Sequence, residues 1–184
     1  MATLDIWSNS SSLQLKNLIS SVLASYLILD KNYSDKPLYI CSPWISDFII
    51  FDNRFGYFDA IVTVASGNSK IRFSDVLKQS SLYREVRIIS KSTEATRQFL
   101  KNSNFAEFNI NTRMADESLH EKGLLAPIFY LEGSMNFTYS GVTINTEKVS
   151  YHSGGEHAIV QRINSAYLEL DRRWHQLDGS LNDK

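Results

Sequence analysis

The chain has 184 residues, enough for one domain, spanning 1–184, with a sizeable core. Its 43% of hydrophobic residues sets it among globular chains, and a net charge of −1 excludes a domain whose affinity rests on a global basic field. Four histidines and one cysteine lie at no metal-ligand spacing, with no C-x-x-C and no H-E-x-x-H, so chemistry without a bound metal or other cofactor is expected.

The polar stretch 1–12 lacks a basic region followed by an apolar core, so it does not read as a secretory signal. No apolar run is long enough to span a membrane. Cys41 has no second cysteine to pair with, which fits a reducing compartment, and a cytoplasmic location is expected. Leu15, Leu18, Ile19, Val22, Leu23, Tyr26 and Leu27 recur at helical spacing behind Ser10, Ser11 and Ser12, and predict a helix over 12–30. A turn over 32–37 leads to a short buried strand over 38–42, stopped by Pro43.

The stretch 44–64 mixes Trp44, Phe48, Phe51, Phe55, Tyr57 and Phe58 with Asp47, Asp52 and Asp59. It reads as core plus covering loop, with a partner-docking surface over 44–58 as the alternative. A strand over 60–64, a helix over 73–79 and a strand over 85–90 follow. Ser92 or Thr93 caps a helix that runs to about Lys101, with Glu94 at its positive end. A strand is expected over 108–113, then three more over 119–125, 128–131 and 147–151. Gly154-Gly155 breaks the chain before a helix over 156–177, which carries Ile159, Ile163, Tyr167, Leu170 and Trp174 on one side, and 178–184 reads as a frayed tail. The alternation of helices and strands predicts an α/β sandwich, a mixed sheet flanked by helices on both faces.

Two short segments carry the chemistry. In Leu119-His120-Glu121-Lys122-Gly123-Leu124-Leu125, a strand would put His120 and Lys122 on one face. An ammonium among apolar neighbours needs an anion, and a phosphate oxyanion fits beside an imidazole. In Gly133-Ser134-Met135-Asn136-Phe137-Thr138, a tight turn offers Ser134 and Asn136 as donors to one anion. Glu147 follows, and a carboxylate near an imidazole fixes its tautomer and stabilises its charged form. Glu121 and Glu132 are expected to face solvent, as are most of the charges on Lys91, Arg97, Lys101 and Arg113; a nucleic-acid groove there is the alternative. That His152 lines the site rests only on the nearby Gly154-Gly155 break, and Cys41 reads as a buried structural thiol.

The pattern resembles the phospholipase D superfamily, whose signature is H-x-K-x-x-x-x-D followed by G-S-x-N and a later acidic residue. HEKGLLAPIFYLEGSMNFTYSGVTINTEKVSY, over 120–151, carries it, and Tyr39-Ile40-Cys41-Ser42-Pro43-Trp44 is similar to the family's early S-P-Y/W strand. The motif aspartate falls on Pro127. The resemblance implies a metal-independent phosphodiesterase. His120 would attack phosphorus, Lys122 and Asn136 would hold the non-bridging oxygens, Ser134 would add a hydrogen bond and Glu147 would support the imidazole. The family uses two such motifs and this chain has one, so a homodimer with the active site at its two-fold interface is implied. Small single-motif members resemble nucleases, which makes DNA the expected partner. SPWISD, LHEKGLL and GSMNFTYSGVTINTE are further similar to the phospholipase D-like proteins encoded with bacterial systems that insert deazaguanine bases into DNA, implying other proteins of a modification-restriction system as partners. Phospholipid hydrolysis or transfer, and a phosphate-binding module without turnover, are the competing expectations.

Overall fold

The computed structural model describes residues 3–7, 14–29 and 35–177. The chain begins with β1 (Thr3–Trp7) and α1 (Gln14–Leu29), and continues through β2 (Leu38–Cys41), β3 (Ile49–Asp52), a 3₁₀ turn (Thr63–Ala65), β4 (Lys70–Arg72) and α2 (Phe73–Ser81). Then come β5 (Val86–Lys91), α3 (Glu94–Ser103), β6 (Ile110–Ala115), β7 (Gly123–Ala126), β8 (Phe129–Gly133), α4 (Tyr139–Thr143), β9 (Lys148–Ser153) and α5 (His157–Gln176). The expected Ser10 to Ser12 caps, residues 32–34 of the 32–37 turn and the 178–184 tail lie outside the described residues.

Seven strands form one sheet in the order β1-β9-β8-β7-β2-β5-β6. β2, β5 and β6 are parallel, whereas β7, β8, β9 and β1 run antiparallel to their neighbours. Side chains alternate across the pleat, so the sheet builds two cores. Leu38, Ile40, Val86, Ile88, Leu124, Ala126, Phe129 and Leu131 face one way, against Leu15, Ile19 and Leu23 of α1, Phe73 and Val76 of α2, Phe99 of α3 and Val142 of α4. Tyr39, Cys41, Ile89 and Leu125 face the other, against Ile159, Ile163, Tyr167, Leu170 and Trp174 of α5. The predicted mixed sheet with helices on both faces is therefore the observed fold.

Three expectations are corrected. The strand predicted over 60–64 is a turn followed by the 3₁₀ segment. Asn53, buried, organises this region: its Nδ2 donates to Asp59 Oδ1 at 2.8 Å and to the Asn68 carbonyl at 2.9 Å, while its Oδ1 accepts from the Phe58 N–H at 2.8 Å. Those polar contacts close a loop where the β-branched run Ile61-Val62-Thr63-Val64 by itself favours a strand. β1 and the β3–β4 hairpin were not among the predicted elements. β1 is almost wholly exposed although Leu4, Ile6 and Trp7 are apolar, and it is held by its antiparallel ladder to β9 from Thr3↔His152 to Trp7↔Lys148. The third correction, the start of β7, bears on the site.

The aromatic stretch divides between core and surface. Phe48 stacks on Phe73 at 5.2 Å and Phe51 on Phe58 at 4.2 Å, whereas Trp44, Phe55 and Tyr57 are exposed.

Candidate active site

The C-terminal ends of β2, β5 and β6 lie at one edge of the sheet. The start of β7, the end of β8 and the start of β9 meet them there, because Cys41 is opposite Gly123, Gly123 is opposite Glu132 and Gly133 is opposite Val149. β2 is also where the sheet changes from parallel to antiparallel. Strand carboxyl ends at such a change leave room for a ligand between diverging connections.

Every sequence-predicted site residue comes to this edge, but His120 and Lys122 do not arrive as predicted. The strand expected over 119–125 starts only at Gly123, so both residues lie in the connection before it. The pleat therefore does not align them. Leu119, buried, anchors the connection on the α5 side, and the Lys122 carbonyl accepts from the Gly133 N–H at 3.2 Å. The Lys122 ammonium turns back to the His120 carbonyl at 2.6 Å. Among the described residues Lys122 has no carboxylate partner and the exposed His120 ring makes no hydrogen bond. The neighbouring acids are occupied: Glu121 pairs with Arg173 at 2.8 Å, and Glu117 receives Lys91 at 3.3 Å. A lysine without a carboxylate partner, two residues from an exposed histidine, can serve an anion that reaches this connection.

The Gly133 to Thr138 turn is held on two sides. Gly133 sits at φ +155, and a Cβ there would lie 2.1 Å from the Lys148 carbonyl oxygen, so only glycine lets the turn cross the start of β9. Ser134 Oγ donates to Glu147 Oε2 and accepts from the Lys148 N–H at 3.0 Å. Ser134 therefore ties the turn to β9, and its proton goes to Glu147 rather than outward to an anion. Glu147 is buried and also accepts from Asn145 Nδ2 at 3.3 Å; its hydrogen bonds to Ser134 and Asn145 serve the turn.

On the other side, Ser42 Oγ lies 2.8 Å from the Trp44 carbonyl and 3.4 Å from Asn136 Oδ1, and the Phe137 N–H donates back to the same oxygen at 3.3 Å. A bridge between Ile45 and Phe137 and a 2.9 Å bond from the Ser46 N–H to the Phe137 carbonyl lock the two segments. With Oδ1 turned to Ser42, the Asn136 Nδ2 protons are left for a ligand. Ser42 is the positioning residue that the sequence reading missed. Its signals were its place before Pro43, where a strand must stop, and the similarity of Ser42-Pro43-Trp44 to the S-P-Y/W strand.

Pro127 stands in the turn between β7 and β8, at the opposite end of the strand that begins beside Lys122. Four strand residues separate them, roughly 13 Å. Proline fits such a turn, so the missing motif aspartate takes nothing away from the groups at the site edge.

His152 does not join them. Its Nε2 lies 2.9 Å from Glu132 Oε1 and its Nδ1 lies 3.0 Å from Thr3 Oγ1. Glu132, expected to face solvent, is instead part-buried and bound by Arg162 at 2.6 Å. The basic middle region does not form one groove either: Arg113 stacks on Trp174 at 4.4 Å, Lys91 is buried, and Arg97 and Lys101 line a separate open cleft of about 770 Å³ along β6 with Leu100, Phe105 and Phe108. Among the described residues no three His, Cys, Asp or Glu side chains are grouped to share a metal ion, and no helix is long and apolar enough to cross a membrane.

Comparison with protein-family models and with curated proteins gives no match. Solved structures do match. Nuc from Salmonella typhimurium, a phospholipase D family member, superposes with a TM-score of 0.57 at 14% identity, covering 97% of both chains. NucT from Helicobacter pylori gives 0.61 at 12% identity, covering 97% of this chain and 98% of the other. TrmBL2, an archaeal chromatin protein with a novel mode of DNA binding, gives 0.50 at 9% identity over 98% of this chain and 55% of the other. At such identities the likeness establishes the fold, a phospholipase D-like one.

Proposed function

We propose that this chain is a phospholipase D-type phosphodiesterase that cleaves DNA without a metal ion, through a covalent phosphohistidine on His120. The observation that carries this reading is the convergence of His120, Lys122, Asn136 and the Ser134–Glu147 pair at one edge of a sheet shared with a phospholipase D family member. An imidazole nitrogen of His120 attacks phosphorus, and the bond from phosphorus to the leaving oxygen breaks. Lys122 Nζ and Asn136 Nδ2 stabilise the non-bridging oxygens, where negative charge builds. The leaving oxygen takes its proton from His120 of a second copy, which then deprotonates the water that splits the N–P bond. Only one H-x-K motif is present, so the site is complete only in a homodimer with the two His120 rings facing each other.

DNA is favoured over lipid because the nuclease neighbours Nuc and NucT share the fold over 97% of this chain. The likeness to DpdK-type proteins of deazaguanine modification systems gives the working context: restriction of unmodified DNA, as in phage defence, with partner proteins docking at the exposed Phe55 and Tyr57, in the cytoplasm. Incubation with labelled DNA in EDTA, followed by acid-labile label transfer to protein, tests the reading. Label on the wild type and none on His120→Ala is expected. Cleavage that stops in EDTA and returns with Mg²⁺ would overturn it.

A further inference from the structure

Three large aromatic side chains ring the site edge and stay in solvent: Trp44 is 43% exposed, Trp7 68% and Tyr139 59%. Single exposed aromatics are ordinary, but these sit on three different connections of one edge. Trp44 is two residues beyond Ser42, the residue that orients Asn136. Trp7 is the register partner of Lys148, whose N–H donates to Ser134 Oγ. Tyr139 is three residues beyond Asn136, and its N–H donates to Ser46 Oγ at 3.4 Å.

Two of the rings carry a lysine. Lys91 Nζ is 5.6 Å from the Trp44 ring and Lys148 Nζ is 5.1 Å from the Trp7 ring. Among the described residues Lys148, like Lys122, has no carboxylate partner. Trp44 stands beside β5 and Trp7 on β1, five strand spacings apart, roughly 24 Å, with the His120 connection and the Asn136 turn between them. A strand laid along this edge meets an aromatic face, then the phosphate-binding groups, then a second aromatic face.

We propose that Trp44, Trp7 and Tyr139 are base-stacking positions and that the substrate of this site is single-stranded DNA. This rests on the phosphodiesterase reading above and adds the class of strand. In a duplex the faces of the bases are buried in the stack, so solvent-exposed rings beside a phosphate site can be used only by unpaired bases. Lys148, beside the Trp7 ring and without a carboxylate partner among the described residues, supplies the backbone attraction that accompanies stacking in single-strand grooves, whereas Lys91 is buried and paired with Glu117.

The test uses the full chain carrying His120→Ala, so that bound strand is not cut, and three labelled probes of about a dozen nucleotides: a single strand, its abasic counterpart with the same backbone, and a duplex. The single strand is expected to bind at least fivefold more tightly than either other probe. Trp44→Ala and Trp7→Ala are each expected to lower the ratio of single-strand to abasic affinity about five- to a hundredfold, while Trp44→Phe keeps it and Leu168→Ala, an exposed control on α5, leaves it unchanged. Equal affinity for base-bearing and abasic strands, tighter duplex binding, or a ratio indifferent to Trp44→Ala in a chain with unchanged circular dichroism would each overturn the proposal. So would retention on phosphatidylglycerol vesicles that depends on the tryptophans while DNA binding does not. Turnover of bis-p-nitrophenyl phosphate, which has no bases, by the unmodified chain tests the phosphodiesterase reading separately. Turnover without base-dependent binding sinks only the stacking proposal.

Discussion

Single residues set the accuracy of the site. Gly133 is required by geometry: a Cβ would meet the Lys148 carbonyl, a backbone atom that cannot swing away. Gly133→Ala is expected to destabilise the fold by about 2–3 kcal/mol, a melting-temperature loss of roughly 4–12 °C in calorimetry, and to displace the turn that carries Asn136. Glu147→Ala removes the partner of a part-buried hydroxyl, so a stability loss of about 1–3 kcal/mol with lowered turnover is expected in the same measurement. Cys41 is buried one strand from Lys122, and desolvation pushes its thiol up to about 12, with Glu121 adding to the rise. It stays protonated at neutral pH, and a disulfide reagent should react with it only after unfolding. Because the thiol titrates near 9 when unfolded and near 12 when folded, its protonation supports the fold below pH 9 and that support fades as pH rises towards 12. Guanidinium titrations at pH 8 and pH 11 read the difference.

At the scale of elements, α5 seals the second face of the sheet through one polar cluster set in apolar packing. Tyr39 Oη donates to Asp171 at 2.5 Å, and Arg87 donates to Tyr39 Oη at 2.7 Å and to Glu85 at 2.8 Å. Trp174 packs edge-on to Tyr39 and lies beneath both Arg87 and Arg113. Burial and the Asp171 bond both raise the Tyr39 phenol, so it remains a donor at physiological pH. Trp174→Ala is expected to cost about 3–5 kcal/mol, and Tyr39→Phe about 1–2 kcal/mol, in denaturant unfolding. Thr93, which caps α3 by accepting from the Thr96 N–H at 3.2 Å, was legible because a capping residue stands directly before a helical run with Glu94 in its first turn. The long amphipathic α5 was legible for the same kind of reason, as a pattern written in local spacing. β1 was not, because the alternation of Leu4 and Ile6 with Thr3 and Asp5 covers only five residues, and the strand exists through its ladder with β9.

For the whole molecule, the decisive prediction concerns the second copy. If two His120 rings serve one site, mixing wild type with an equal amount of His120→Ala and allowing exchange leaves about a quarter of the activity per total chain, because only pairs with both rings act. About a half would mean that each chain works alone, and sedimentation equilibrium of an active monomer would say the same. The sequence by itself determined the fold class and the two-faced sheet. Those depend on residue types at short spacings, and local physical chemistry governs such patterns. It misplaced the start of β7, because the apolar run 123–126 extends on paper through Leu119, whereas the polar connection between them has ladder partners only from Gly123 onward. Where Ser134's proton goes, how Ser42 turns Asn136, and that Pro127 lies remote from Lys122 were decided by tertiary structure alone. The first two are contacts between segments distant in sequence, set by the register of the folded sheet, and the third follows from where β7 begins and ends. The feature that the sequence marked most strongly, His120 with Lys122, is thus placed by the Gly133 turn and by buried Leu119 rather than by a strand of its own.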